Sequence, residues 1–139
     1  MNLIGKWKIK EVFYFSPECL GEWKTHEELE ALGADESFVS ICKNTVVLFK
    51  EDGTMEDLLA LPKDATQEQI DQAIAEGKEI RDGMMVIDKN CWKTEDGKNL
   101  YDSGVEGEIM GEEASRWHEI EEIDEDTIQL GIIRYVRAE

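Results

Sequence analysis

The chain has 139 residues, of which 33 are Asp or Glu and 15 are Lys or Arg, and its formal net charge is −18. A chain of this length is expected to form one domain, residues 1–139, and to bury about two-thirds of its unfolded surface. The negative charge repels phosphate backbones and anionic lipid, which excludes general nucleic-acid and membrane binding and favours a monomer or a weak homodimer.

The first segment, Asn2 to Phe15, alternates with the period of two that is typical of a half-buried strand. One face carries Leu3, Gly5, Trp7, Ile9 and Phe13, and the other carries Lys6, Lys8 and Lys10. Strict alternation turns Glu11 inward, whereas a bulge near it would turn it outward, and the sequence leaves both open. A strand this close to Met1 leaves no room for a signal peptide, which predicts a cytoplasmic protein.

Two helices are predicted from their end signals. Thr25 with Glu28 forms a capping-box pattern and predicts a helix from His26 to Leu32 that buries Leu29 and Leu32. Thr66 with Gln69 repeats the pattern and predicts a second helix that ends at Gly77. Between them, the apolar runs Phe38 to Cys42 and Thr45 to Lys50 are predicted as strands.

Hairpins dominate the rest of the chain, because Asp52-Gly53 and Asp96-Gly97 each stand between strand-like runs. The remaining predicted strands are 54–61, 84–92, 99–102, 105–110, 115–123 and 127–137, with turns at 111–113 and 124–126. In the last strand one face carries Ile128, Leu130, Ile132, Arg134 and Val136. These elements predict a mainly β fold, an eight-stranded antiparallel up-and-down barrel with two short helices.

The cysteines and histidines predict no metal site. Cys19, Cys42 and Cys91 are odd in number and widely spaced, which indicates reduced thiols in the cytoplasm. His26 and His118 are too few for a metal cluster, so we expect neither metal nor cofactor.

The Gly5-x-Trp7 step of the first strand resembles the signature of the calycins, the superfamily of lipocalins and intracellular fatty-acid-binding proteins. The resemblance is to bacterial lipocalin-like domains above all. It implies that Trp7 seals the closed end of the barrel and that an Arg of the last strand packs across its ring. Arg134 is the first candidate and Arg137 the second, so Gly5, Trp7 and Arg134 form the predicted barrel-closing set.

One departure limits what the resemblance implies about the ligand. Fatty-acid-binding proteins carry Arg-x-Tyr near the C-terminus to hold a carboxylate. Here Arg134 and Tyr135 are adjacent, so their side chains point to opposite faces of the strand and the pair is not expected to grip a carboxylate.

By resemblance, the predicted function is non-catalytic binding of a small apolar or amphipathic molecule inside the barrel. The predicted ligand-binding set combines apolar residues of the barrel wall with polar residues that anchor the ligand. Its members are Ile9, Glu11, Phe13, Phe49, Arg116, His118 and Leu130. The acidic composition favours a neutral or cationic ligand over a fatty acid. His118 has three interpretations: a surface or structural side chain, an acid or base beside a cavity, or an axial haem ligand as in haem-binding barrels of this superfamily.

Two other functions remain open. One is a cofactor-free decarboxylase or isomerase that uses Glu11 with Arg116 or His118, because a lumen carboxylate with a raised pKa can act as a general base. The other is an interaction module whose barrel is solidly packed and holds no ligand. No catalytic residue is assigned, and the identity of the ligand does not follow from the sequence.

Overall fold

The structure, a computed structural model, describes residues 2–17, 19–102, 107–109, 112–114 and 116–138, the side chains of residues 19, 107–109 and 112–114 excepted. The helices are α1 (His26–Ala31), α2 (Glu36–Asn44) and α3 (Gln67–Ala75). The first strands are β1 (Gly5–Ser16), β2 (Cys19–Lys24), β3 (Thr45–Phe49), β4 (Thr54–Ala60), β5 (Glu79–Arg81), β6 (Met84–Glu95) and β7 (Lys98–Asp102). The later strands are β8 (Gly107–Ile109), β9 (Glu112–Ala114), β10 (Trp117–Glu119), β11 (Glu121–Asp124), β12 (Thr127–Leu130) and β13 (Ile133–Ala138).

One mainly antiparallel sheet forms most of the molecule and nearly closes into a barrel. Nine strands follow one another in the order β10-β7-β6-β4-β3-β1-β13-β12-β11, while β2 pairs with β1 and β5 with β6. The two end strands of this path, β10 and β11, are consecutive in the chain and are separated only by Ile120. The mainly β class and the barrel are therefore confirmed, but the predictions of eight strands and two helices were wrong.

Strands β1 and β13 lie side by side, as the barrel prediction requires, and a cation clamps the buried indole between them. Trp7 is 0% exposed and lies opposite Arg137. The Arg137 guanidinium carbon lies 4.1 Å from the centre of the Trp7 ring, and its Nη1 and Nη2 donate to the carbonyls of Ile4 (3.1 Å) and Asn2 (2.6 Å). Gly5 has φ +126°, and a Cβ there would lie 3.5 Å from Arg137 Nη1.

The role predicted for Arg134 therefore belongs to Arg137, because the predicted closing strand is a hairpin. Leu130 lies opposite Ile133, which leaves Gly131 and Ile132 as a two-residue loop. Gly131 has φ +60° and Ile132 has no positive φ, as in the II′ turns that suit hairpins. Ile132 is 62% exposed, and the side chains after the turn occupy the opposite face from the one predicted.

A bulge in β1 settles the orientation of Glu11. Ile9 lies opposite Tyr135 and Glu11 opposite Arg134, so Lys10 is an additional residue in β1. After the bulge Val12 is buried, and Glu11 and Phe13 lie on the outer face. Of the two orientations that the sequence left open, the outward one is found.

The helices confirm two predictions and correct one. The capping boxes of Thr25 with Glu28 and of Thr66 with Gln69 both form, and Leu29 is buried, whereas Leu32 is 44% exposed. The predicted strand at Phe38 to Cys42 was wrong, because Asp35 accepts hydrogen bonds from two backbone amides and starts α2 there. Within the described ranges, no helix is both long and apolar enough to cross a membrane.

Two further predictions concern the segment between β7 and β10. Residues 103–106, 110, 111 and 115 lie outside the described residues, and the described part of the predicted strand 105–110, residues 107–109, is the strand β8. Strands β8 and β9 pair as a separate two-stranded sheet, so Glu112 and Glu113 belong to a strand rather than to the predicted turn. The predicted strand 115–123 is divided at Ile120 between β10 and β11.

The barrel interior holds the main core. Its buried members are Leu3, Trp7, Val47, Phe49, Met55, Ile120, Ile128 and Tyr135. A second cluster, Val12, Leu29, Val39 and Cys42, packs α1 and α2 against β1. Ile9 and Ile133 contact both clusters, so α1 and α2 extend the core along the face of β1 that carries Trp7 and Val12.

Replacing Arg137 by Lys is expected to lower the free energy of unfolding by about 1–3 kcal/mol, because Lys cannot stack on Trp7 and donate to two carbonyls at once. Arg134→Lys is the matched control. Arg134 stacks on Trp23, which is only half-buried, and a smaller loss is expected. Urea unfolding followed by circular dichroism measures both, and equal losses would contradict the assignment of Arg137 to the clamp.

Candidate functional site

Two adjacent acids of β4 have opposite environments, and the first of them is fully compensated. Glu56 is 2% exposed and points away from the core residue Met55. Its Oε1 lies 2.6 Å from Arg81 Nη2 and 3.0 Å from Lys50 Nζ, and its Oε2 lies 3.9 Å from Lys89 Nζ. The hydrogen bond from Arg81, with help from Lys50, holds the pKa of Glu56 below its usual range despite burial.

The second acid, Asp57, points into the barrel. It shares the face of Met55 and lies opposite Val47 of β3, and both neighbours belong to the main core. No hydrogen bond or ion pair reaches its carboxylate from the described residues. Burial, and secondarily the charge of Asp88, raises the pKa of Asp57 to about 6.

Two further polar residues share the face of the sheet that carries the main core: Asp88, which is exposed, and Tyr135, which is buried. Asp88 of β6 lies directly opposite Asp57, and its Oδ1 accepts the backbone N–H of Lys89 at 2.9 Å. Tyr135 of β13 is 8% exposed, and in the described part of the chain its hydroxyl has no hydrogen-bond partner. Burial and then the charge of Asp57 raise the pKa of Tyr135.

The polar side-chain atoms of Asp57 and Tyr135 are unpartnered but not fully enclosed. Within the described ranges, Arg81 Nε is the single fully enclosed side-chain nitrogen or oxygen that lacks a hydrogen-bond partner. The carboxylate of Asp57 and the hydroxyl of Tyr135 also lack partners, so they must keep some accessible surface. Because both lie on the inner face, that surface faces the interior of the barrel.

A groove lies between β7, β10, β11 and the β12–β13 hairpin. It has a volume of about 340 Å³ and is lined by Tyr101, His118, Glu119, Glu121, Gln129 and Gly131. Tyr101 also packs against the main core, and its ring meets His118 edge to face, with the ring centres 5.7 Å apart. The volume falls within the range of about 300–1,000 Å³ of small-molecule pockets.

The predicted ligand-binding residues do not form one site. Phe49 is buried in the main core, Ile9 and Leu130 pack against it, and His118 lines the groove. Arg116 is engaged elsewhere, because its Nε and Nη2 donate to the two carboxylate oxygens of Asp102 at 2.8 and 2.9 Å.

The other two predicted residues, Glu11 and Phe13, belong to an outer cluster. Arg134 Nη1 donates to Glu11 Oε1 at 2.8 Å, and its guanidinium carbon lies 3.9 Å from the centre of the Trp23 ring. Phe13 stacks obliquely on Trp23, with ring centres 5.4 Å apart. Arg134 and Tyr135 point to opposite faces, as predicted, with the Tyr inside and the Arg outside.

Alternation could have revealed the acids that the sequence analysis missed. In the strand 54–61, Asp57 falls on the same face as Met55 and Leu59, and Asp88 falls on the face of Asn90 and Trp92. An acid in the middle of an apolar face is the signal.

Metal chemistry finds no support in the described residues, among which no three His, Cys, Asp or Glu side chains group as a metal site. Cys42 is a buried free thiol and Cys91 an exposed one, while the side chain of Cys19 lies outside the described part. Comparison of the chain with protein-family models, curated proteins and solved structures gives no match.

Replacing each of the two neighbouring acids by its amide is expected to change the free energy of unfolding in opposite directions. Glu56→Gln leaves three cations around a neutral group and should lower the free energy of unfolding by about 2–4 kcal/mol. Asp57→Asn removes an uncompensated buried charge and should raise it at pH 8 by about 1–3 kcal/mol.

The gain from Asp57→Asn depends on pH. The folded chain keeps the Asp57 proton up to about pH 6, whereas the unfolded chain releases it near pH 4, so in this interval the folded state binds more protons. The contribution of Asp57 to stability therefore falls as the pH rises from about 4 to 6, and the gain should be about half as large at pH 5 as at pH 8. Urea unfolding at both pH values tests this, and a destabilised Asp57→Asn would contradict an uncompensated carboxylate.

Proposed function

We propose that the protein binds a small apolar or amphipathic molecule inside its barrel without transforming it. The observation that carries the proposal is the pair of unpartnered polar groups, Asp57 and Tyr135, that are not fully enclosed within an otherwise apolar interior. Uncompensated buried polar groups cost stability, and ligand pockets place such groups among apolar walls to orient what they bind.

The architecture supports a calycin-like barrel. The Gly5-x-Trp7 step with Arg137 across the indole is the arrangement that the resemblance implies for the closed end. We propose the groove beside His118 as the entrance to the interior. The binding set is revised to Asp57, Asp88 and Tyr135 within the barrel, with Tyr101 and His118 at its entrance.

Charge and thiol content support the partners and the cellular compartment that the sequence predicted. The net charge of −18 disfavours nucleic acid and anionic membranes as partners. The free thiols of Cys42 and Cys91 are in keeping with a reducing compartment such as the cytoplasm.

One observation favours a second candidate, acid–base catalysis in the same interior. A carboxyl group whose pKa lies at about 6, beside a tyrosine hydroxyl, is suited to proton transfer near neutral pH. Its base would be Asp57, because Glu11 lies outside the barrel and is held by Arg134. Recovery of a captured molecule with its mass and its NMR spectrum unchanged after prolonged incubation would favour binding over catalysis.

Uptake of the neutral fluorophore N-phenyl-1-naphthylamine tests the binding proposal. The wild type should take it up and enhance its emission, and Leu130→Trp, which fills the interior, should weaken uptake at least tenfold. Ile132→Trp is the matched control, because it adds the same ring to the same hairpin on an exposed position and should leave uptake unchanged.

Circular dichroism verifies that both variants fold, and native mass spectrometry of the gently purified wild type provides a reading without mutation. A retained small-molecule adduct is expected. Bare protein that takes up no fluorophore would contradict the proposal and indicate a packed interaction module.

A further inference from the structure

We infer that the ligand is an organic cation, such as a protonated amine with an apolar tail, whose charged end is held by Asp57 and Asp88. The inference rests on the proposed function and names the chemical class of the molecule bound at that site. It follows from three features of the inner wall: two facing carboxylates, the lack of a protein cation beside them, and an unpartnered buried hydroxyl.

The two carboxylates face each other across one step of the sheet. Asp57 and Asp88 are directly opposed in the pairing of β4 with β6, where the side chains of opposed residues extend from the same face. Like charges in such positions destabilise a sheet. A bound cation between them would replace this repulsion by attraction to both.

No protein cation serves this pair. In the described residues neither carboxylate has an ion pair with Lys, Arg or His. The three basic side chains nearest in the sheet lie around the outward Glu56, and Arg137 is engaged at the closed end. The inner wall therefore keeps a negative charge that a ligand can neutralise.

Tyr135 points independently to a ligand. The residue is more than nine-tenths buried, its hydroxyl has no partner in the described part of the chain, and it lies near enough to Asp57 to feel its charge. A hydroxyl can accept one N–H of an ammonium group while the carboxylates accept the others. The aliphatic and aromatic side chains around it, among them Ile9 and Leu130, suit the apolar part of the molecule.

An anion is excluded by the same geometry. A carboxylate or phosphate at this position would add a third negative charge to the wall without meeting a described basic side chain. A neutral alcohol could donate one hydrogen bond but would leave the charge of the pair uncompensated. A cation is the class that satisfies both carboxylates.

Three octyl compounds of equal chain length test the inference: octylamine, octan-1-ol and octanoate. Each competes at pH 7.5 with N-phenyl-1-naphthylamine for the wild type, for Asp57→Asn and for Asp64→Asn. Asp64 is an exposed acid, so its variant removes the same charge from the surface. Octylamine is expected to displace the fluorophore from the wild type at concentrations at least tenfold lower than octanol, and octanoate should be weakest.

Asp57→Asn should bring the affinity for octylamine within threefold of the affinity for octanol, whereas Asp64→Asn should keep the full preference for the amine. Equal displacement by all three compounds, with fluorophore uptake intact, would overturn the inference and leave the proposed function standing. The inference also fails if Asp64→Asn loses as much of the preference for octylamine as Asp57→Asn does, because the charge of the surface would then explain that preference. A wild type that takes up neither fluorophore nor octanol would overturn both.

Discussion

The pairing of β1 with β13, clamped by Arg137 on Trp7, is the constraint on which the rest of the structure depends. It joins segments that are far apart in sequence and thereby turns a series of local hairpins into a sheet that nearly closes. The Arg137 guanidinium also binds the backbone that precedes β1, since it donates hydrogen bonds to the carbonyls of Asn2 and Ile4.

The interior that results is not uniformly apolar. Leu3, Phe49 and Ile128 pack with Trp7, while Asp57 and Asp88 follow Trp7 and Val47 in one row across the sheet and Tyr135 is paired with Ile128. The structure tolerates a carboxylate whose burial disfavours its own charge, although Glu56 shows that the chain holds cations able to satisfy one. Natural proteins keep such unfavourable local arrangements mainly at functional sites, which is why the acids and not the aromatic residues define the candidate site.

The sequence predicted elements well where the signal was local. Capping boxes and Asp-Gly turns depend on a few neighbouring residues, and α1, α3 and the β3–β4 hairpin formed where predicted. The errors arose where one residue changes the face of every residue after it. Lys10 does so by entering a bulge, and Gly131 does so by starting a turn inside an unbroken apolar run.

The candidate site was missed for a related reason. Glu11 and Phe13 were assigned to the interior on strict alternation from Trp7, which the bulge breaks, and Arg134 was assigned to the clamp on strict alternation from Ile128, which the turn breaks. Strand β4 is free of such shifts between Met55 and Asp57, so its alternation was reliable there. A five-residue apolar run, as at 38–42, has no clear period, and only the cap at Asp35 identifies it as a helix.

The ion-pair network around Glu56 has a consequence for how β4 is aligned with its neighbours. Glu56 and Asp57 are consecutive, so a shift of β4 by a single position would exchange them, moving the satisfied acid inward and the unsatisfied one outward. Lys50, Arg81 and Lys89 converge only in the observed alignment. The cations that stabilise Glu56 on the outer face therefore also keep Asp57 on the inner face, where its charge is uncompensated. Ion pairs outside the barrel thus determine which acid lies inside it.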